Sequence, residues 1–355
     1  MGRFSLPPRL VDWTLFALVC FEVASGLVSL TLGRPEHRFL FYAHGIAGLT
    51  LVILLFWKVR RVRGRITDLS KWDRTTPVSI LAVLVASAAL VTGVMWVFGY
   101  HERFGYWEFL MLHMAFGVAL VPLVLSHLSQ RYRPPRREDF EGRRTFLTYL
   151  ALGAVGAIAW RAQSAINRLL DTPGADRRFT GSRERGSFTG NAFPTTSWVA
   201  DDPDPVDPDD WSLTVGGATE RGIDLAYDEL APDDRERSTL DCTSGWYSVQ
   251  DWTGVRVGDL LDEVEPTDDA RYVRFQSVTG YRWSLPIDEA RDALLATHVG
   301  EEAISHGHGF PLRIVTPGRR GFQWVKWVVS VEVREEYDYG QWVVIFTSGF
   351  TDSDP

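Results

Sequence analysis

Long apolar runs separated by short basic stretches fill the first half of the chain. They cover residues 11–32, 38–57, 77–99 and 106–128, with a shorter Ala- and Gly-rich run at 145–160. Each of the first four is close to the ~20 residues that cross a bilayer. Buried core helices seldom run so far without a charge, so the pattern predicts five membrane spans. Beyond residue 210 the period changes to two. Strands are predicted at 211–215, 312–316, 324–333 and 342–346, with a hairpin of 270–278 and 281–285 about Thr279-Gly280. Helical spacing appears at 225–230, 257–264 and 287–297. The fold class is therefore an all-α, five-helix membrane domain followed by an α+β domain. No dinucleotide-binding glycine fingerprint is present.

Charge divides the chain at the same place. Of 355 residues with net charge −8, residues 1–170 carry 20 Lys+Arg against 10 Asp+Glu, and the remainder 17 against 35. The acidic second half argues against a nucleic-acid partner. The loop after the second run holds Lys58, Arg60, Arg61, Arg63, Arg65, Lys71 and Arg74, and that after the fourth holds Arg131, Arg133, Arg136, Arg137, Arg143 and Arg144. Basic loops stay cytoplasmic. The expected topology is a multi-pass cell-membrane protein with its N-terminus inside and the region after residue 170 extracytoplasmic. Gly142-Arg143-Arg144-Thr145-Phe146-Leu147 resembles a twin-arginine export signal, although two arginines before a span also follow from the charge rule alone.

Histidines inside apolar runs are costly and usually functional. His44 and His113 lie about 9 and 10 Å from the outer ends of spans two and four, a matched depth that suits both axial positions of one haem b. The bland alternative is that each bonds a neighbouring helix. His127 lies one haem spacing further on, but its counterpart on span two is Lys58, which leaves a second bis-histidine site without a partner. His37 and His101 fall in outer loops, as alternative ligands or quinone-site residues. This half resembles the cytochrome b561-like and formate-dehydrogenase-type membrane cytochromes. The resemblance implies quinone or quinol as electron partner and lipid as surroundings.

Only two cysteines occur, Cys20 and Cys242, so no disulfide framework is available. Cys242 sits in Leu240-Asp241-Cys242-Thr243-Ser244-Gly245-Trp246. Such a thiol is a redox or nucleophilic group, a metal ligand or an inert residue.

That motif is followed in order by Trp252-Thr253-Gly254-Val255, Phe275-Gln276-Ser277 with Gly280-Tyr281, Gly309-Phe310-Pro311-Leu312-Arg313 and Val325-Lys326-Trp327. The set resembles the molybdopterin domain of the sulfite oxidase family over about 188–335. The resemblance implies molybdenum-molybdopterin, with Cys242 as metal ligand and catalytic residue. It implies pterin or phosphate contacts from His308, Arg313, Arg320, Gly321, Phe322 and Lys326, a hydroxyl from Ser277, and upstream contacts from Asn191 and Thr195. Expected domains are 1–135 (four-helix cytochrome b-like), 136–170 (fifth span), 171–187 (linker) and 188–355 (oxidoreductase). The expected function is extracytoplasmic oxo transfer on a sulfoxide or small oxo-anion, with sulfoxide reduction ahead of sulfite oxidation. A metal-free binding or sensory module on a membrane anchor is the alternative of another class.

Overall fold

The computed structural model describes residues 7–100, 103–104, 107–134, 136–197 and 201–349, so His101 and Trp198 lie outside the described residues. Two compact units divide the chain at Gly181/Ser182.

The first unit is built on α1 (Pro8–Ser29), α2 (Arg38–Ile66), α3 (Thr76–Phe98), α4 (Phe109–Arg131) and α5 (Arg143–Leu169). All five are long and apolar enough to cross a membrane. The fifth is longer than its apolar run because Arg161 and Arg168 continue the helix past residue 160. α1 packs on α2, α2 on α5 and α3 on α4. The α2–α5 approach depends on Gly156, where a Cβ would stand 2.2 Å from Thr50 Oγ1. Phe39, Phe56, Leu84, Val118, Leu150 and Ile158 are exposed, an outward apolar surface that water would not stabilise.

The second unit has two sheets. Strands β1 (Arg183–Glu184), β4 (Asp234–Asp241), β5 (Trp246–Arg256), β8 (Leu294–Val299), β9 (Glu302–Ala303) and β10 (Arg313–Val315) form one. In it β4 and β8 flank β5 antiparallel, β1 joins β5 in parallel, and β10 pairs with β8. The other runs β3 (Ile223–Ala226), β2 (Ser212–Gly217), β11 (Val328–Arg334), β6 (Tyr272–Ser277) and β7 (Arg282–Pro286). Its β2–β11 pair is parallel. Helix α6 (Val257–Val264) buries Val257, Leu260, Leu261 and Val264, the one-sided spacing of an amphipathic helix.

Four expectations change. Residues 342–346, read as a strand from Trp-Val-Val-Ile-Phe, form helix α8 (Gln341–Thr347), whose Gln341 side chain accepts from Ser284 N at 2.8 Å. The helix expected over 287–297 stops at Arg291 as α7 (Ile287–Arg291), and the rest is strand β8. The helix expected over 225–230 is the end of β3 followed by one tight turn at Tyr227–Glu229. Arg183 and Glu184, expected inside the linker, pair with Trp246 and Tyr247. The second unit is thus α+β, as expected, and follows five long apolar helices.

Candidate functional site

Cys242 occupies the turn between β4 and β5. Its amide donates to Trp246 O at 2.8 Å, and its carbonyl accepts from Gly245 N at 3.1 Å. Gly245 closes the turn at φ +100°, a conformation side-chain-bearing residues rarely adopt. The segment after Thr316 lies across this turn. Arg320 Nη2 donates to Cys242 O at 3.2 Å, and Arg320 Nη1 lies 3.5 Å from Asp241 Oδ1 with both side chains buried. Asp241 also accepts from Ser182 Oγ at 2.6 Å. Gly321 permits the approach, since a Cβ there would stand 3.1 Å from Cys242 Cα. The Cys242 thiol is buried, 3.1 Å from Ser244 Oγ.

Cations surround this thiol. Arg313, at the start of β10, is 2% exposed. Its guanidinium stacks on Trp252 and Trp324 at 5.1 and 5.7 Å, and Nη1 donates to His308 O at 2.9 Å. Its Nε is buried with no hydrogen-bond partner among the described residues. Burial pushes Arg313 down to about 9, with the Cys242 charge acting the other way. Lys326 Nζ donates to Gly307 O at 2.8 Å and Ser197 Oγ at 3.2 Å. Burial, then the Arg313 charge, brings it down to about 8, while Asp201 and Cys242 oppose. A buried arginine and a half-buried lysine, whose charged forms burial disfavours, lie near the thiol and form a site that an anion would stabilise.

The other expected residues divide. His308 is buried with both ring nitrogens engaged, Nδ1 2.7 Å from Ser305 Oγ and Nε2 3.0 Å from Phe193 O. Burial and then Arg313 lower it to about 4, so it is neutral and braces this loop. Asn191 is also fully used, donating to Glu302 Oε2 and Ala303 O and accepting from Ser305 N. Thr195 packs against Gly307, 3.2 Å from where a Cβ would stand. Ser277 accepts from Thr279 in the β6–β7 turn. Phe322 meets Trp283 edge-on at 4.9 Å, and its carbonyl accepts from Tyr281 Oη at 2.5 Å. Arg313, Arg320, Gly321 and Lys326 thus stand with Cys242. His308, Asn191, Thr195, Ser277 and Phe322 hold the frame.

Sequence reasoning passed over Ser244, Thr196 and Asp201. Thr196 Oγ1 accepts from Trp246 Nε1 at 3.1 Å and lies 3.4 Å from Ser244 Oγ, extending a polar chain from the thiol. Asp201 is buried, raised by that burial, with one carboxylate oxygen lacking a partner. Ser244 stood in the motif itself, whereas nothing in the acidic, Pro-rich run at 200–210 sets Asp201 apart. Among the described residues no group of three or more His, Cys, Asp or Glu is placed to hold a metal ion. A metal held by Cys242 therefore brings other ligands with it. An anionic cofactor carrying its own soft ligands fits this donor set.

In the first unit His44 and His113 face each other, with ring centroids 6.0 Å apart and planes at 83°. Two imidazoles bound at about 2 Å to one metal ion have centres about 6 Å apart. His113 Nδ1 donates to Ala89 O at 2.7 Å, and His44 Nδ1 lies 2.8 Å from Ser25 Oγ. His127 Nδ1 lies 2.8 Å from Ser79 Oγ.

Comparison with known proteins finds a family match within the second unit. Residues 200–342 match the family model described as oxidoreductase molybdopterin binding domain. The catalytic subunit of protein-methionine-sulfoxide reductase (MsrP) from Xanthomonas axonopodis pv. citri is 34% identical over 152 residues, covering 37% of this chain and 47% of that protein. The chain therefore matches about half the length of this relative. The uncharacterized oxidoreductase YuiH of Bacillus subtilis is 28% identical over 170 residues, covering 45% of this chain and 86% of that one. Among solved structures, the sulfane dehydrogenase SoxCD of Paracoccus pantotrophus matches with TM-score 0.36 and 22% identity, over 37% of this chain and 40% of that one.

Proposed function

With residues 200–342 forming a molybdopterin-binding oxidoreductase domain of the sulfite-oxidase type, we propose that this chain is a membrane-anchored sulfoxide reductase. The observation that carries this reading is the pair of buried arginines, Arg313 and Arg320, with half-buried Lys326, near one buried thiol. Cys242 gives its sulfur to molybdenum. Arg313, Arg320 and Lys326 neutralise the pterin and its phosphate. Trp252 and Trp324 keep water from the face of Arg313. Bound there, molybdopterin supplies two-electron oxo transfer, in which a sulfoxide takes up two electrons and two protons and leaves as sulfide and water. The MsrP relatives support sulfoxide as substrate.

His44 and His113 hold one haem b through their Nε2 atoms, each Nδ1 being already engaged. Quinol is the electron donor to that haem, and lipid covers the apolar faces of α1–α5. The basic loops support a cytoplasmic N-terminus with the molybdenum domain, residues 188–355, outside.

The test is turnover with a viologen dye against a panel of sulfoxides and sulfite, together with metal analysis of wild type and Cys242→Ser. Reduced dye consumed with a sulfoxide, and lost with molybdenum in the variant, is expected. Sulfite-driven dye reduction instead would reverse the direction. Unchanged molybdenum and turnover in the variant would sink the ligand assignment.

A further inference from the structure

The two facing histidines are held from behind by chemically different groups. His113 Nδ1 donates to a neutral acceptor, the Ala89 carbonyl. His44 Nδ1 faces Ser25 Oγ at 2.8 Å and Glu22 Oε2 at 3.1 Å. Ser25 is 3% exposed and donates its own proton to the Glu22 carbonyl at 3.2 Å, which leaves its oxygen as an acceptor toward His44. Glu22 lies seven residues before the end of α1, inside a span, where an acid is expensive and kept for a role. Its second oxygen, Oε1, is buried with no hydrogen-bond partner among the described residues. Among the same residues no lysine or arginine pairs with this carboxylate, and its ionic contact is His44.

We propose that Glu22 is a positioning residue for the haem, acting through His44. Its carboxylate shares the Nδ1 proton of His44 with Ser25 Oγ, fixes Nε2 as the coordinating nitrogen and makes that imidazole the stronger donor. A stronger axial donor favours ferric over ferrous iron and draws the midpoint potential down. His113, backed by a carbonyl, is the weaker ligand. This rests on the reading of His44 and His113 as haem ligands.

The test is a redox titration of the full chain in detergent or nanodiscs, followed at the reduced b-type α-band. Glu22→Gln is expected to keep the band and to raise the ferrous-to-ferric ratio at a fixed potential about tenfold, or about 59 mV for a one-electron couple. Glu22→Asp, which keeps the charge, is expected to return part of that shift. An unchanged midpoint in Glu22→Gln with the band intact overturns the proposal. Should Glu22→Gln bind no haem, a Glu22→Asp chain with its band restored and its midpoint raised supports the proposal, while a wild-type midpoint in that variant overturns it. A wild-type chain with no α-band would refute the haem itself.

Discussion

His308 and the His44–His113 pair put the same side chain to opposite uses. His308 spends both nitrogens inside the protein, on Ser305 and Phe193, and is left with nothing to offer a ligand. His44 and His113 each engage Nδ1 and point their rings at one another. A histidine with both nitrogens satisfied is part of the frame; the two proposed ligands make their hydrogen bonds at Nδ1. Asn191 and Ser277 differ in a similar way from Arg313, whose buried Nε has no hydrogen-bond partner among the described residues.

Several substitutions would break or sharpen that contrast. Cys242→Ser should have the largest effect, removing molybdenum and lowering turnover by more than the 10- to 100-fold typical of outer-shell partners; metal analysis and dye-coupled kinetics measure it. Next, His44→Ala or His113→Ala should abolish the α-band in optical spectra while molybdenum content stays at the wild-type level. Arg313→Leu should weaken cofactor retention by about 10- to 100-fold, read as molybdenum remaining after dialysis. Its cofactor-free form should unfold no earlier than wild type, because an uncompensated buried charge has gone. A cofactor-free variant clearly less stable than wild type would make Arg313 a structural residue instead. His308→Gln should cost about 1–3 kcal/mol, the penalty for leaving a buried acceptor unmet, seen as a lower unfolding midpoint. Loss of molybdenum with unchanged stability in that variant would move His308 back among the ligand contacts.

The five helices were legible because an apolar run of some 20 residues suits little besides a membrane span. Cys242 was legible because its polar, Gly-containing motif is poor material for a core. Strand β8 was not. Leu294 and Ala296 belong to one apolar cluster and Leu295 to the other, so the strand is buried on both faces and shows no alternation. Continuous burial of that kind has no period to distinguish it from a helix. Helix α8 misled in the opposite sense. Its Trp-Val-Val-Ile-Phe favours a strand locally, yet Gln341 anchors the first turn on Ser284 and Tyr337. The cation cluster was legible only in part: Arg313 and Lys326 came from resemblance, and their placement near Cys242 depends on contacts between distant strands.

One consequence follows from the way the Cys242 turn is closed. Its amide and carbonyl are held by Trp246, Gly245 and Arg320, and Gly321 lies against its Cα. The turn is thus held by protein groups alone, so amide-exchange protection across residues 234–256 is expected to survive removal of molybdenum; loss of that protection on removal would show that the metal orders the turn.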